Sequence, residues 1–163
     1  MPIGWADPKG YRRRSNPKVQ MRILIVCAGN TCRSPMAAGL LKKLAESRRL
    51  TLEVRTAGLA HHPGGRVAEN ATKVMAEIGV DISFEYSKPV TGEALSWADL
   101  VVALQGNHAA HLIEEFPNTA SKVRVLEADV PDPYRQPVSV YRATRDSLQH
   151  FLEPLVDTLD GPV

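Results

Sequence analysis

Residues 27–34 read Cys-Ala-Gly-Asn-Thr-Cys-Arg-Ser, between the apolar run Met21 to Val26 and Pro35. A thiol, five intervening residues, an arginine and a hydroxyl residue make a set suited to a dianionic phosphoryl group. A cysteine attacks only as its thiolate, and an ordinary thiol is mostly protonated at neutral pH. Cys27 would lie at a helix N-terminus, among backbone N–H groups and near Arg33, and all three stabilise the anion. The Ser34 hydroxyl is placed to donate to the sulfur. Arg33 offers a planar fork of donors that matches two phosphoryl oxygens. The amides of Ala28, Gly29, Asn30, Thr31, Cys32 and Arg33 can form a nest around the anion. Gly29 permits unusual backbone angles, and Asn30 tolerates the left-handed region. The competing reading is a structural loop whose cysteines merely pack, since buried free cysteines are common. A strand before the loop and Ser-Pro opening a helix after it favour the catalytic reading.

A leaving atom must be protonated, and a thiophosphate intermediate must later be hydrolysed. Both steps call for one acid/base group that reaches the phosphoryl from the opposite side. The segment from Asp129 to Tyr134 (DVPDPY) offers two carboxylates. Prolines stiffen this loop and can present a side chain. Asp132 is the better candidate, because Tyr134 beside it can wall an aromatic pocket. On spacing alone, both aspartates are equally well explained as turn formers.

The elements that must position these groups follow from periodicity. Met21 to Val26 (MRILIV) is an almost continuous apolar run, as expected of a strand buried on both faces. Ser34 as cap and Pro35 in the first turn start a helix that should end near Arg49, with basic residues favouring its C-terminus. Residues 52–57 read as a second strand and 67–78 as a helix stopped by Gly79. A third strand is expected over 99–104, a helix over 107–116 and a short strand over 123–126. A final helix spans roughly 138–158, with a kink or local break at Pro154. Strands alternating with helices imply a parallel sheet covered on both faces, with ligands bound beyond the carboxyl ends of the strands. The Cys27 loop sits at such an end.

At 163 residues, with 44% apolar and 23% charged residues, the chain suits one globular domain. A net charge of +2 is too small to argue for a nucleic-acid or membrane partner. Arg12, Arg13, Arg14 and Lys18 concentrate in the leading segment. Residues 1–20, rich in Gly and Pro, read as a flexible, solvated extension, and Met21 is an alternative start. No stretch resembles a signal peptide or a membrane span. With only Cys27 and Cys32, the expected compartment is the reducing cytosol, where paired thiols are more often catalytic or metal-binding than structural.

Together, Cys27 through Pro35 and the later Asp132-Pro133-Tyr134 resemble the low-molecular-weight protein tyrosine phosphatase family. The resemblance covers roughly residues 21–158. It implies an α/β fold of three layers, with a four-stranded parallel sheet, helices on both faces and a phosphate-binding loop after the first strand. Residues 21–160 would form that domain. It implies a two-step mechanism without metal or cofactor, acting on a phosphorylated protein substrate, and a monomer is expected. Cys27 would be the nucleophile, Arg33 the phosphoryl clamp and Asp132 the acid and later the base. Asn30 would hold the loop's shape and Ser34 assist the thiolate. Cys32 resembles the family's second loop cysteine, able to trap an oxidised Cys27 as a reversible disulfide.

Three departures bear on substrate. Tyr134 is followed by Arg135, where many members carry two adjacent aromatics. Thr31 replaces an isoleucine frequent in tyrosine-directed members and resembles the bacterial protein arginine phosphatases of the same family. A loop-supporting histidine is missing, with Phe84 and Glu85 nearest its position; the Thr56 hydroxyl is expected to share that role. Phosphotyrosine is therefore the first expected substrate and phosphoarginine the second. Arsenate reduction would need further thiols to pass on the oxidation. A non-catalytic phosphate-binding module would not keep thiol, arginine and acid together. A zinc site could draw on His61-His62 or on His108 and His111, but no cysteine pair has zinc spacing, and these read as surface residues. His61 and His62 serve equally as pocket rim or as exposed loop.

Overall fold

The computed structural model describes residues 21–60, 65–126 and 130–160. Four strands, β1 (Met21–Cys27), β2 (Leu52–Gly58), β3 (Leu100–Ala103) and β4 (Val123–Val125), form one parallel sheet in the order β2-β1-β3-β4. β1 is central and almost wholly buried, as its apolar run demands, with only Arg22 half-buried. Its side chains alternate between two cores. Ile23 and Ile25 face the side covered by α1 (Arg33–Ser47), α2 (Glu69–Ala76) and α5 (Val138–Asp160). Leu24 and Val26 face the side covered by α3 (Gly92–Trp97) and α4 (Gly106–Glu115). The α/β fold is thus three-layered, as the sequence predicts. No helix of the described residues is long and apolar enough to cross a membrane.

The chain leaves β1 for β2 on one side and later returns to β3 on the other. β1 and β3 therefore flank the point where strand order reverses, which is where open parallel sheets bind ligands. Cys27 is the last residue of β1, opposite Gly58 of β2.

Several element boundaries differ from the sequence reading. α1 starts at Arg33, with Cys32 in the capping position and no side-chain cap. Ser34 is inside the first turn, and its hydroxyl is drawn into the loop instead. At the other end, Leu50 N donates to Ala45 O and Arg49 N to Glu46 O, with Arg49 at φ 57°. This is a Schellman closure with arginine in the left-handed position that glycine favours, so Arg48 and Arg49 lie beyond the last turn. α2 is shorter than expected, ending before Gly79 at φ 78°. α3 and a 3-10 helix over Pro117–Lys122 are additions, too short to carry a periodic signal. α5 continues through Pro154, held by Leu152, Leu155, Val156 and Leu159 in the core.

Candidate active site

The loop after β1 is shaped by Asn30, which is fully buried and sits at φ 57°. Its backbone N–H donates to Cys27 Sγ at 3.2 Å. Its Nδ2 donates to Ser34 Oγ at 2.6 Å, and that oxygen lies 3.1 Å from Cys27 Sγ. A neutral thiol donates across this last contact. When the sulfur is ionised the contact reverses, because Asn30 already occupies an acceptor site on Ser34 and leaves the hydroxyl hydrogen for the sulfur. The thiolate then has two donors, Asn30 N–H and Ser34 O–H.

The loop is held from behind by its carbonyls. Leu59 N donates to Cys27 O at 3.0 Å, Ala60 N to Ala28 O at 2.8 Å, and Ala68 N to Thr31 O at 2.9 Å. Ser87 Oγ donates to Gly29 O at 2.8 Å, and Lys88 N to Asn30 Oδ1 at 2.9 Å. With carbonyls turned out, the loop amides are left to face the cleft, which makes an anion nest. Gly58 permits this packing: a Cβ there would stand 2.9 Å from Ala28 O and 3.0 Å from Asn30 Cβ.

The support expected from Thr56 is absent. Its buried Oγ1 has no hydrogen-bond partner, and Phe84 is 67% exposed. Ser87 and the Lys88 backbone supply it instead. Serine in a polar loop gives no distinguishing sequence signal, and a backbone amide gives none at all.

Arg33 is 2% exposed and spans the gap between this loop and the segment carrying Asp132. Nη1 donates to Val130 O at 2.9 Å, and Nη2 lies 3.6 Å from Asp132 Oδ2. Asp132 is largely open to solvent, and its Oδ1 accepts from Tyr134 N at 3.1 Å. Tyr134 is 52% exposed, with the Arg135 guanidinium 5.2 Å from its ring. A cleft of about 540 Å³ brings together Cys27, Ala28, Gly29, Asn30, Thr31, Cys32, Arg33, Asp132 and Tyr134, with Ser34 behind it. Ala60, Gly65, Arg66 and Ala68 complete its wall; they come from the β2–α2 connection, where the sequence reading singled out only His61 and His62.

Cys32 lines the cleft as the sequence predicts. Its side chain is 3% exposed and turned into the core, with Sγ 3.4 Å from Tyr141 Oη. Burial pushes the Cys32 thiol up, against hydrogen bonds from Tyr141 and Thr31 that pull it down. Asp129, His61, His62 and residues 1–20 lie outside the described residues. His111 pairs with Glu115 at 3.3 Å, one turn along α4. Among the described residues no three His, Cys, Asp or Glu side chains gather as a metal-ligand set.

The family model described as low molecular weight phosphotyrosine protein phosphatase matches residues 22–162. The chain belongs to this family. It is 36% identical over 146 residues to a protein-arginine-phosphatase of Bacillus subtilis, covering 85% of this chain and 97% of that one. It is 33% identical over 126 residues to the low molecular weight protein-tyrosine-phosphatase Ptp of Acinetobacter johnsonii, covering 75% and 86%. A solved structure of a YwlE arginine phosphatase mutant with a phosphorylated active-site serine superposes with a TM-score of 0.82 at 35% identity, covering 85% of this chain and 95% of that one. This phosphatase is thus a cysteine-dependent hydrolase of the family that acts on phosphorylated proteins.

Proposed function

We propose that the protein hydrolyses phosphorylated side chains through a phosphocysteine on Cys27. The observation that carries this reading is the setting of the sulfur: Asn30 N at 3.2 Å and Ser34 Oγ at 3.1 Å around it, with Arg33 and Asp132 paired in the same cleft. Cys27 attacks phosphorus, and the S–P bond forms as the bond to the leaving oxygen or nitrogen breaks. Asp132 gives its proton to that leaving atom. The Arg33 fork and the loop amides neutralise charge on the equatorial oxygens. Asp132, now a carboxylate, takes a proton from the water that attacks phosphorus. Phosphate leaves and the thiolate is restored. Both thiols must stay reduced, which suits a reducing compartment such as the cytosol.

The same machinery serves phosphotyrosine and phosphoarginine, and Thr31 favours the second as the preferred substrate. Thr31 lines the cleft with a hydroxyl where tyrosine-directed members carry an aliphatic chain. A guanidino group carries several N–H donors, and the Thr31 hydroxyl is an acceptor within the same cleft. An aryl ring has no such need. The arginine phosphatase of Bacillus subtilis supports the same choice. The protein is expected to hydrolyse an aryl phosphate without added metal and to be blocked by vanadate, with Cys27→Ser inactive. Activity persisting in Cys27→Ser overturns the mechanism. Rates on matched phosphotyrosine and phosphoarginine peptides decide the substrate. Thr31→Ile should shift the ratio toward phosphotyrosine, and an unmoved ratio removes Thr31 from the argument.

A further inference from the structure

Gly29 O and Asn30 N–H are opposite edges of one planar peptide unit. On one edge, Ser87 Oγ donates to Gly29 O at 2.8 Å. On the other, Asn30 N–H donates to Cys27 Sγ at 3.2 Å. The Ser87 hydroxyl and the nucleophile's sulfur are therefore joined through a single rigid unit. A donor on the carbonyl fixes the plane of that unit, and with it the direction of the N–H. It also polarises the amide and strengthens the N–H as a donor.

The side-chain amide of Asn30 repeats the pattern. Lys88 N donates to Oδ1 at 2.9 Å, Nδ2 donates to Ser34 Oγ at 2.6 Å, and that oxygen lies 3.1 Å from Cys27 Sγ. Two adjacent residues thus grip two amides by their oxygens, and both amides act toward the sulfur. The Lys88 donor is backbone, and any residue except proline supplies it. The Ser87 donor is a side chain and depends on the residue.

Asn30 sits at φ 57°, a conformation that persists where its surroundings hold it. Ser87 is suited to hold it. It is 3% exposed, its own N–H donates to Gly65 O at 2.6 Å, and the next carbonyl, Lys88 O, accepts from Gly58 N at 2.8 Å. These bonds fix the backbone on both sides of the hydroxyl. Ser87 does not line the cleft, so it acts through the loop and not on substrate.

We infer that Ser87 is a positioning residue for the nucleophile: its hydroxyl keeps the Gly29 carbonyl turned out of the cleft and so aims the Asn30 N–H at the sulfur of Cys27. This rests on the reading of Cys27 as the nucleophile.

Ser87→Ala removes the hydroxyl and keeps the backbone. The test is the pH profile of Cys27 alkylation by iodoacetamide, with the modified residue located by peptide mass spectrometry. Iodoacetamide carries no phosphoryl group, so its reaction reports on the sulfur and not on the anion nest. The charged and titratable groups of the cleft, Arg33, Arg66, Asp132 and Cys32, are the same in both proteins, as are Glu85, Tyr86 and Lys88 of the bracing segment. A difference between the profiles therefore belongs to the hydroxyl. In Ser87→Ala the profile should move to higher pH by about 0.5–1 unit, because the anion loses part of a donor. A brace that served the fold alone would lower the urea midpoint and leave the profile in place. A profile that is unmoved, or moved to lower pH, overturns the inference whatever happens to stability or turnover. Should Ser87→Ala fail to fold, Ser87→Cys keeps the shape with a weak donor, and a move to higher pH is required of it too. Turnover in Cys27→Ser separates this inference from the reading beneath it. If Cys27→Ser stays active, the nucleophile assignment falls. If Cys27→Ser is inactive and the Ser87→Ala profile is unmoved, only the present inference falls.

Discussion

Gly58→Ala tests whether the loop's shape depends on close backbone approach. The added Cβ would meet Ala28 O at 2.9 Å, Asn30 Cβ at 3.0 Å and Gly29 C at 3.1 Å. Two of these are backbone atoms of the phosphate loop, not the far ends of flexible side chains. Gly58 cannot retreat, because its N–H donates to Lys88 O at 2.8 Å and its carbonyl accepts from Val90 N at 3.1 Å. The loop must therefore yield by about half an ångström to restore ordinary contact. Overpacking of this kind costs about 1–3 kcal/mol of stability. The same shift moves amides that must sit about 2.7–3.1 Å from phosphoryl oxygens, where losing one donor outright costs about 3–4 kcal/mol. Stretched but not lost, they should forfeit about 1–2 kcal/mol of transition-state stabilisation, or about 5- to 30-fold in kcat/KM. The assay is kcat/KM on a phosphopeptide, with inorganic phosphate inhibition and urea unfolding on the same variant. Gly92→Ala is the comparison, since nothing lies within 4 Å of its Cβ. It should leave activity unchanged and raise helix stability by up to about 1 kcal/mol. Wild-type kcat/KM and phosphate affinity in Gly58→Ala would show that the loop's shape does not depend on this close approach.

Three other substitutions probe the frame around the site. Arg49→Gly should stabilise the protein by about 1 kcal/mol in urea unfolding, because Arg49 occupies φ 57° at the end of α1; no gain means that the conformation is not strained. Asn30→Ala and Asn30→Gly should lose activity together, since both lack the bonds to Ser34 and Lys88. In unfolding, alanine should be the worse by about 1 kcal/mol, because only glycine accepts φ 57° freely; equal stability would contradict this. Hydrogen bonds from Arg142, then Arg145, pull the Glu77 carboxyl down to about 2. Because the folded value lies below the ordinary one of about 4.3, this pairing stabilises the fold fully above that pH and is lost as pH falls through about 2. Glu77→Gln should flatten the fall of urea midpoints over that acid range, and an unchanged slope would place the acid sensitivity elsewhere.

What the sequence made legible was whatever is encoded in side-chain type or periodicity. The alternating burial of β1, the cleft-facing run from Cys27 to Arg33 and the distant Asp132 all fall where their residue types point. What escaped was carried by backbone. Ser34 looks like a helix cap, yet the first-turn amides of α1 stay open beside the anion site, and the hydroxyl bonds Asn30 and faces Cys27. Thr56 looks like a loop support, but its oxygen has no partner, and the brace comes from Ser87 and the Lys88 amide. Arg49 conceals a Schellman turn because nothing in an arginine announces the left-handed region. Cys32 reads as part of the site, and only the fold turns its sulfur toward Tyr141.

The central claim is that phosphoryl groups pass through Cys27. Asp132→Ala should slow hydrolysis of the intermediate, so phosphoenzyme should accumulate when this variant is mixed with phosphoarginine or phosphotyrosine peptide. Rapid quenching followed by peptide mass spectrometry locates the phosphoryl group. The phosphoryl group is expected on the sulfur of Cys27, absent in Cys27→Ala, with either substrate. Steady turnover with no phosphoryl group ever found on Cys27 would contradict it.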